Sequence, residues 1–209
     1  MKITKFLTIL AVTSLLATSC KEEKKETETQ VIVPTEATSS FIIKPEGTSV
    51  KWTAFKTTKK VPVGGEFATL NFEKKSGATP EEALNNLEFS IPVSSLFTKD
   101  DTRDAKLKAS FFGAMLNTDL IKGIIKYNNG NYSATITMNG VTEDLPLDVS
   151  IAEERRVTMK AKMDLKKWNA LNALETLNKV CLDLHKGADG VSKTWEDVDI
   201  EISTYLRDK

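Results

Sequence analysis

The chain predicts an all-β fold with accessory helices: an antiparallel up-and-down β-barrel of about eight strands. Three observations carry that expectation. From Phe41 onward apolar residues alternate at period two in short runs, as strands with one wet face require. The runs are divided by turn chemistry, with Asn129-Gly130 and Asn139-Gly140 suited to the tight hairpins that join antiparallel neighbours. The last run, Val198, Ile200 and Ile202 between Asp197, Asp199 and Glu201, is a strand suited to pairing with an earlier edge, and closure into a barrel would remove that edge.

Taken in order, Val50, Trp52 and Ala54 share a face, with Lys51 and Thr53 opposite. Pro62 and Gly64-Gly65 read as a break before a strand over 66–72. The run 87–93 is a third strand, and Pro92 places its end or an edge there. A strand over 121–127 turns at Asn128-Asn129-Gly130 into Tyr132, Ala134, Ile136 and Met138. Asn139-Gly140 leads to Val141, Leu145, Leu147, Val149 and Ile151, and Glu153-Glu154-Arg155-Arg156 to Val157, Met159, Ala161, Met163 and Leu165. Two helical segments interrupt the strands, one near 99–112 and a longer C-terminal amphipathic helix from about 169 to 186. Asn169 is its expected N-cap, Leu171, Leu174, Leu177, Cys181 and Leu184 its apolar face, and Gly187 its stop signal. Such a helix would pack on the barrel or plug one end.

The inward-facing candidates are Trp52, Phe67, Ile136, Leu147, Val149, Met159 and Met163, joined by Phe111 and Phe112, which would line the interior or pin the first helix. The set is almost wholly apolar, so anything bound there would be greasy and read by shape. An eight-stranded barrel either fills its interior with side chains or holds one small ligand, and periodicity leaves the two alternatives even.

Composition excludes several functions. Lys+Arg 29 balances Asp+Glu 29, leaving no basic excess for nucleic acid. His185 is the single histidine, so a multi-histidine metal site is impossible and a Ser-His-Asp triad would have to use that residue. No cofactor is expected beyond a bound lipid.

The first nineteen residues have secretory signal layout: Lys2 and Lys5, an uncharged apolar stretch from Phe6, then small residues before Cys20. The apolar core is too short for a permanent span. Leu16-Ala17-Thr18-Ser19-Cys20 resembles a bacterial lipobox, with Ala17 departing from the commoner Leu or Val. The expected organisation is a signal peptide over 1–19, a lipidated, disordered tether over 20–40 beginning at Cys20, and a barrel domain over 41–209. The tether, rich in Glu, Lys, Thr and Ser, would be a spacer, or its Lys21-Glu22-Glu23 the export tag of surface lipoproteins. That places the protein in the bacterial cell envelope as an outer-membrane lipoprotein, on the periplasmic face or the cell surface, held to the membrane by its lipid anchor. With Cys20 acylated, Cys181 has no disulfide partner and reads as core.

One ordered set of motifs is more specific. Leu87-Glu88-Phe89-Ser90-Ile91-Pro92-Val93-Ser94-Ser95-Leu96-Phe97-Thr98, then Arg103-Asp104-Ala105-Lys106-Leu107-Lys108 and Phe111-Phe112, then Ile136-Thr137-Met138-Asn139-Gly140-Val141-Thr142, resembles the YceI-like family. Ser49-Val50-Lys51-Trp52 and Gly65-Glu66-Phe67 also fit, and the resemblance runs from about Phe41 to the C-terminus. It implies a lipocalin-like barrel that holds a polyisoprenoid or quinone-like lipid in its lumen. Two departures stand out: Lys106 occupies the motif's usual histidine position, and the segment 166–195 is longer than the family's connection and would cap the tunnel or alter the ligand.

Other motifs have plainer readings. Arg103-Asp104 is a headgroup pair or, more simply, a tether from helix to loop. The run 185–196 has Gly190 and Glu196 where a calcium loop needs them, but His185 and Gly187 are wrong, so a surface turn is expected. Three functions follow: a non-catalytic lipid carrier, a structural or adhesion lipoprotein with a filled barrel, or an enzyme using Cys181 or His185 on an isoprenoid lipid. A homodimer is left open.

Overall fold

The computed structural model describes residues 40–208. The signal segment, Cys20 and the tether up to residue 39 lie outside the described residues.

The chain begins with β1 (Phe41–Ile42), β2 (Thr48–Lys56), β3 (Val61–Phe67), β4 (Asn71–Phe72) and β5 (Ser76–Gly77). The short helix α1 (Pro80–Leu84), capped by the Thr79 side chain, precedes β6 (Leu87–Pro92) and β7 (Leu96–Phe97). After α2 (Asp101–Lys106), a π turn over Leu107–Phe111 and a 3-10 turn over Phe112–Ala114, the meander runs β8 (Leu120–Asn128), β9 (Asn131–Met138), β10 (Val141–Ala152) and β11 (Arg156–Asp164). A 3-10 turn at Leu165–Trp168, α3 (Leu171–Val180), β12 (Asp197–Tyr205) and β13 (Arg207–Asp208) complete it.

The fold is mostly β and antiparallel. Ten strands pair in the order β4-β6-β8-β9-β10-β11-β12-β2-β3-β7, while β13-β1-β5 make a small second sheet. The two ends of the large sheet lie on the same two stretches of chain, because β3 runs on into β4 and β6 into β7. Glu66 and Phe67 pair with Phe97 and Leu96, Asn71 and Phe72 pair with Ser90 and Phe89, and between them Ala68 N donates to Ser95 O at 2.9 Å. The sheet therefore curls back on itself. Its concave side carries the core, where Val157, Met159 and Leu87 are fully buried.

Several expectations need correction. Pro62 and Gly64-Gly65 do not interrupt a strand; they lie inside β3, paired to Phe55, Thr53 and Trp52. Gly65 serves close packing and not a turn: a Cβ there would lie 2.4 Å from Trp52 Cζ2. The run 66–72 is broken, with β3 ending at Phe67 and β4 starting at Asn71. The first helical segment passes from α to π to 3-10 geometry within fourteen residues and is no single helix.

Asn169 is no N-cap. It ends the 3-10 turn in the left-handed region at φ 53°, and α3 starts beyond Ala170, which makes no capping bond. The helix stops at Val180 instead of near 186, because the following chain is drawn into a bridged loop in which Lys186 pairs with Ser192 and Lys193 N donates to His185 O. Leu184 and Leu171 are accordingly 57% and 42% exposed, while Leu177 and Cys181 are buried.

Candidate ligand-binding cavity

A cavity of about 180 Å³ lies within the curled sheet. Alternation along each strand aims its apolar residues at this space. Trp52 on β2, Phe67 on β3, Ile136 on β9, Leu147 on β10, and Met159 and Met163 on β11 all line it, as do Phe111 and Phe112 from the helical segment after β7. Phe112 stacks edge-on against both Phe111 and Phe67, at 5.0 and 6.3 Å between ring centroids. Val149 is the exception. It packs against the core beside Met159 but does not line the cavity. Periodicity assigned its face correctly, yet it carries no information on how far along the strand the open space extends.

Sequence reasoning missed other lining residues. Phe72 and Phe89 sit in the paired stretch β4–β6, and Leu107 faces in from the π turn. Leu165, Leu174, Leu177, Thr194 and Trp195 come from the long 165–195 segment, which thus closes part of the cavity. The α3 face carried a helical signal; Trp195 stands in a loop with no periodicity, so nothing local marked it.

Side-chain hydrogen bonds tie the closing segments to the sheet, beside the apolar packing of Ala173, Leu177 and Cys181. Trp168 is fully buried and its Nε1 donates to Ile136 O at 3.0 Å. Asn139, in the left-handed turn position its hairpin needs, accepts from Leu116 N at 2.8 Å and donates through Nδ2 to Trp168 O and Asn169 O at 3.0 and 3.1 Å. One turn residue thereby clips both segments to the sheet. Arg103 and Asp104 part company. Asp104 is buried and its Oδ1 accepts from Thr98 N and Thr98 Oγ1 at 2.9 and 2.6 Å, tying α2 to the preceding loop, whereas Arg103 reaches only Asp100.

The polar atoms of the lining are mostly engaged. Thr48 Oγ1 donates to Lys44 O and meets Thr204 Oγ1 at 2.7 Å, and Trp195 Nε1 donates to Thr57 O at 2.8 Å. Thr194 Oγ1 donates to Asn178 Oδ1 at 2.8 Å and lies 2.6 Å from His185 Nδ1. Burial pushes the Cys181 thiol up from its ordinary pKa, and burial, helped by Lys56 and Lys106, holds the His185 imidazole below its own. A buried thiol with a raised pKa is a poor nucleophile. Asp189 accepts from Thr58 Oγ1 and Val191 N, which makes 185–196 a surface turn. Among the described residues no group of three or more His, Cys, Asp or Glu is placed to hold a metal ion.

Residues 41–206 match the model of the YceI-like domain. The chain belongs to the YceI-like family. No curated protein matches it. Among the solved structures similar to this YceI-like chain in fold are two from other bacteria. A polyisoprenoid binding domain from Saccharophagus degradans implicated in plant cell wall breakdown is 13% identical, with a TM-score of 0.59 over 82% of this chain and 99% of that one. BcnA of Burkholderia cenocepacia is 14% identical, with a TM-score of 0.52 over 79% of this chain and 99% of that one. At such identities the likeness concerns the backbone fold.

Proposed function

We propose that this YceI-like protein is a non-catalytic carrier that holds a long apolar lipid, a polyisoprenoid or quinone-like molecule, inside the barrel that the curled sheet forms when β3–β4 and β6–β7 each count as one strand, eight in all. The supporting observation is the cavity itself: among its lining residues only Thr48 and Thr194 are not apolar or aromatic, and both are already hydrogen-bonded within the protein. Trp52, Phe67, Phe111, Phe112, Ile136, Leu147, Met159 and Met163 would make the contacts. Affinity comes from apolar burial, roughly 25 cal/mol per Å² before the cost of ordering the chain. The polyisoprenoid binding described for the Saccharophagus degradans domain is in keeping with this reading. Catalysis through Cys181 and His185 has little support, since the thiol is buried with a raised pKa and the imidazole Nδ1 is engaged by Thr194. The signal layout before Cys20 supports tethering by a lipidated cysteine in the bacterial envelope, at the outer membrane.

The test is native mass spectrometry of a Cys20→Ser variant, which carries no covalent lipid, followed by solvent extraction. A stoichiometric extra mass identified as an isoprenoid is the expected result. A bare protein mass that does not change when isoprenoids are added would sink the carrier reading and point to a filled barrel.

A further inference from the structure

The antiparallel register sorts the molecule into two ends. Lys56 pairs with Val61 at the β2–β3 hairpin, Asp197 at the start of β12 pairs with Asp164 at the end of β11, and Met138 pairs with Val141. These turns lie at one end with the covering segments, which reach the 138–141 hairpin through Asn139. The Asn129-Gly130 turn, the 152–156 turn and Tyr205 lie at the other. Of the ten exposed large apolar residues among the described residues, eight stand at the covered end, and only Phe97 and Tyr205 stand elsewhere. Four of the eight, Val180, Leu182, Leu184 and Val191, fall in one loop and are each 49% exposed or more. That loop is joined to the β2–β3 hairpin: Thr58 Oγ1 donates to Asp189 Oδ2 at 2.6 Å, Lys56 Nζ to Leu184 O at 3.1 Å and Thr57 N to Lys193 O at 2.8 Å. A concentration of exposed apolar side chains rimmed by polar ones marks an interaction surface.

The same corner is cationic. Lys56, Lys59, Lys60, Lys179, Lys186 and Lys193 stand there against Glu175, Asp183, Asp189 and Asp197, and Lys56, Lys59 and Lys193 form no ion pair among the described residues. Trp195 joins this surface to the cavity: it lines the cavity, and Lys60 Nζ and Lys193 Nζ lie 4.4 and 3.7 Å from its ring centroid. Exposed aliphatic side chains among surplus lysines match a bilayer that bears anionic headgroups, where the lysines are drawn to the surface and the apolar groups enter the headgroup boundary. Chain length permits this orientation. Phe41 pairs with Asp208 at the opposite end, and the residues from Cys20 to Ser40 reach about 70 Å at full extension, against about 30 Å for β2. An anchor at Cys20 thus leaves the covered end free to face the same membrane. We infer that the surface formed by residues 56–61 and 180–193 docks on an anionic lipid bilayer. Docking needs no bound ligand, so the inference holds or fails apart from the carrier reading; joined to that reading, it makes this the end through which lipid passes.

The test uses residues Ala37–Lys209, a compact unit that holds both sheets and the whole described core, so that neither the apolar leader nor a lipidated cysteine contributes. Cosedimentation is measured with vesicles of phosphatidylcholine and with vesicles of equal parts phosphatidylcholine and phosphatidylglycerol. The mixed vesicles should bind about tenfold more tightly, and added salt should erase that preference. Leu182→Ser with Leu184→Ser should weaken binding to the mixed vesicles about tenfold. Lys59→Gln with Lys193→Gln should remove most of the preference for anionic lipid. Tyr205→Ser, at the far end of β12, should leave affinity within about twofold. Urea midpoints check that each variant is folded, and should the leucine variant fail to fold, the lysine variant and the salt series decide. Absence of wild-type binding, equal binding to both vesicles, or undiminished binding by the folded leucine variant overturns the proposal. A dimer in sedimentation velocity that the leucine substitutions break, with no vesicle binding, also overturns it and makes this end a self-association surface.

Discussion

The β8–β12 side of the sheet and the segments that cover it, residues 101–114 and 165–195, are built by opposite rules. From β8 to β11 consecutive strands pair directly, and their first two turns are Asn-Gly hairpins with both residues at positive φ: 49° and 84° at Asn129-Gly130, 53° and 70° at Asn139-Gly140. Backbone twist and period-two burial do the work there, and each residue repeats the instruction of its neighbours. The covering segments are short α, π and 3-10 pieces with no shared period. They are positioned by particular side chains, Asp104 to Thr98, Asn139 to Leu116 just beyond the first segment and to Trp168 in the second, and Trp168 to Ile136. A wall specified redundantly tolerates change; a cover set by individual side-chain contacts is more sensitive at the buried ones.

Substitutions at those contacts sharpen the comparison. Trp168→Ala should be the most damaging, removing a fully buried indole and its hydrogen bond for about 3–5 kcal/mol, read as a lowered urea midpoint. A loss below about 1 kcal/mol would show that the 165–195 segment is only loosely attached. Asn139→Ala removes the clip and places alanine in a left-handed position, so a loss of about 2–3 kcal/mol is expected. It should also raise hydrogen exchange both at Leu116 and around Trp168–Asn169, whereas exchange confined to the hairpin would break the idea that one residue serves both.

The pH response between pH 7 and pH 5 should be smaller and should come from His185 in the cover, since the lowered carboxylates, Asp197 on β12 among them, act at more acid pH. Burial, then Lys56 and Lys106, lower the His185 pKa in the folded state. The unfolded chain therefore takes the proton first as pH falls. The contribution is fully present above the ordinary histidine value of about 6.5 and is lost as pH drops through the lower folded value. The unfolding midpoint should fall from pH 7 to pH 5, and His185→Gln should flatten that slope because no other histidine exists. A slope unchanged in the variant would assign the effect to carboxylates. Least of all, Leu184→Ser should shift stability by no more than about 0.5 kcal/mol, since that leucine is solvent-exposed although its spacing suggested core.

The same contrast separates what was legible from what was not. The antiparallel meander, the apolar concave face and the placement of Trp52, Phe67, Ile136, Leu147, Met159 and Met163 around the cavity could be read from alternation and turn residues, and the buried Cys181 from helical spacing. Gly64-Gly65 was misread because a glycine that makes room for an indole and a glycine that makes a turn look alike in sequence. Asn169 was misread because a capping residue and a left-handed residue share the same composition, and Leu184 because spacing cannot show where α3 ends. Trp195 carried no local signal at all.

By itself, then, the sequence determined the strand pattern, the greasy character of the interior and the family motifs, all of which depend on neighbours close in the chain. Tertiary structure alone decided how β3–β4 meets β6–β7, how deep the open space runs past Leu147, and that the Trp52 N–H finds no acceptor among the described residues. Those outcomes arise from residues far apart in the chain competing for the same few ångströms, and no local pattern records the result.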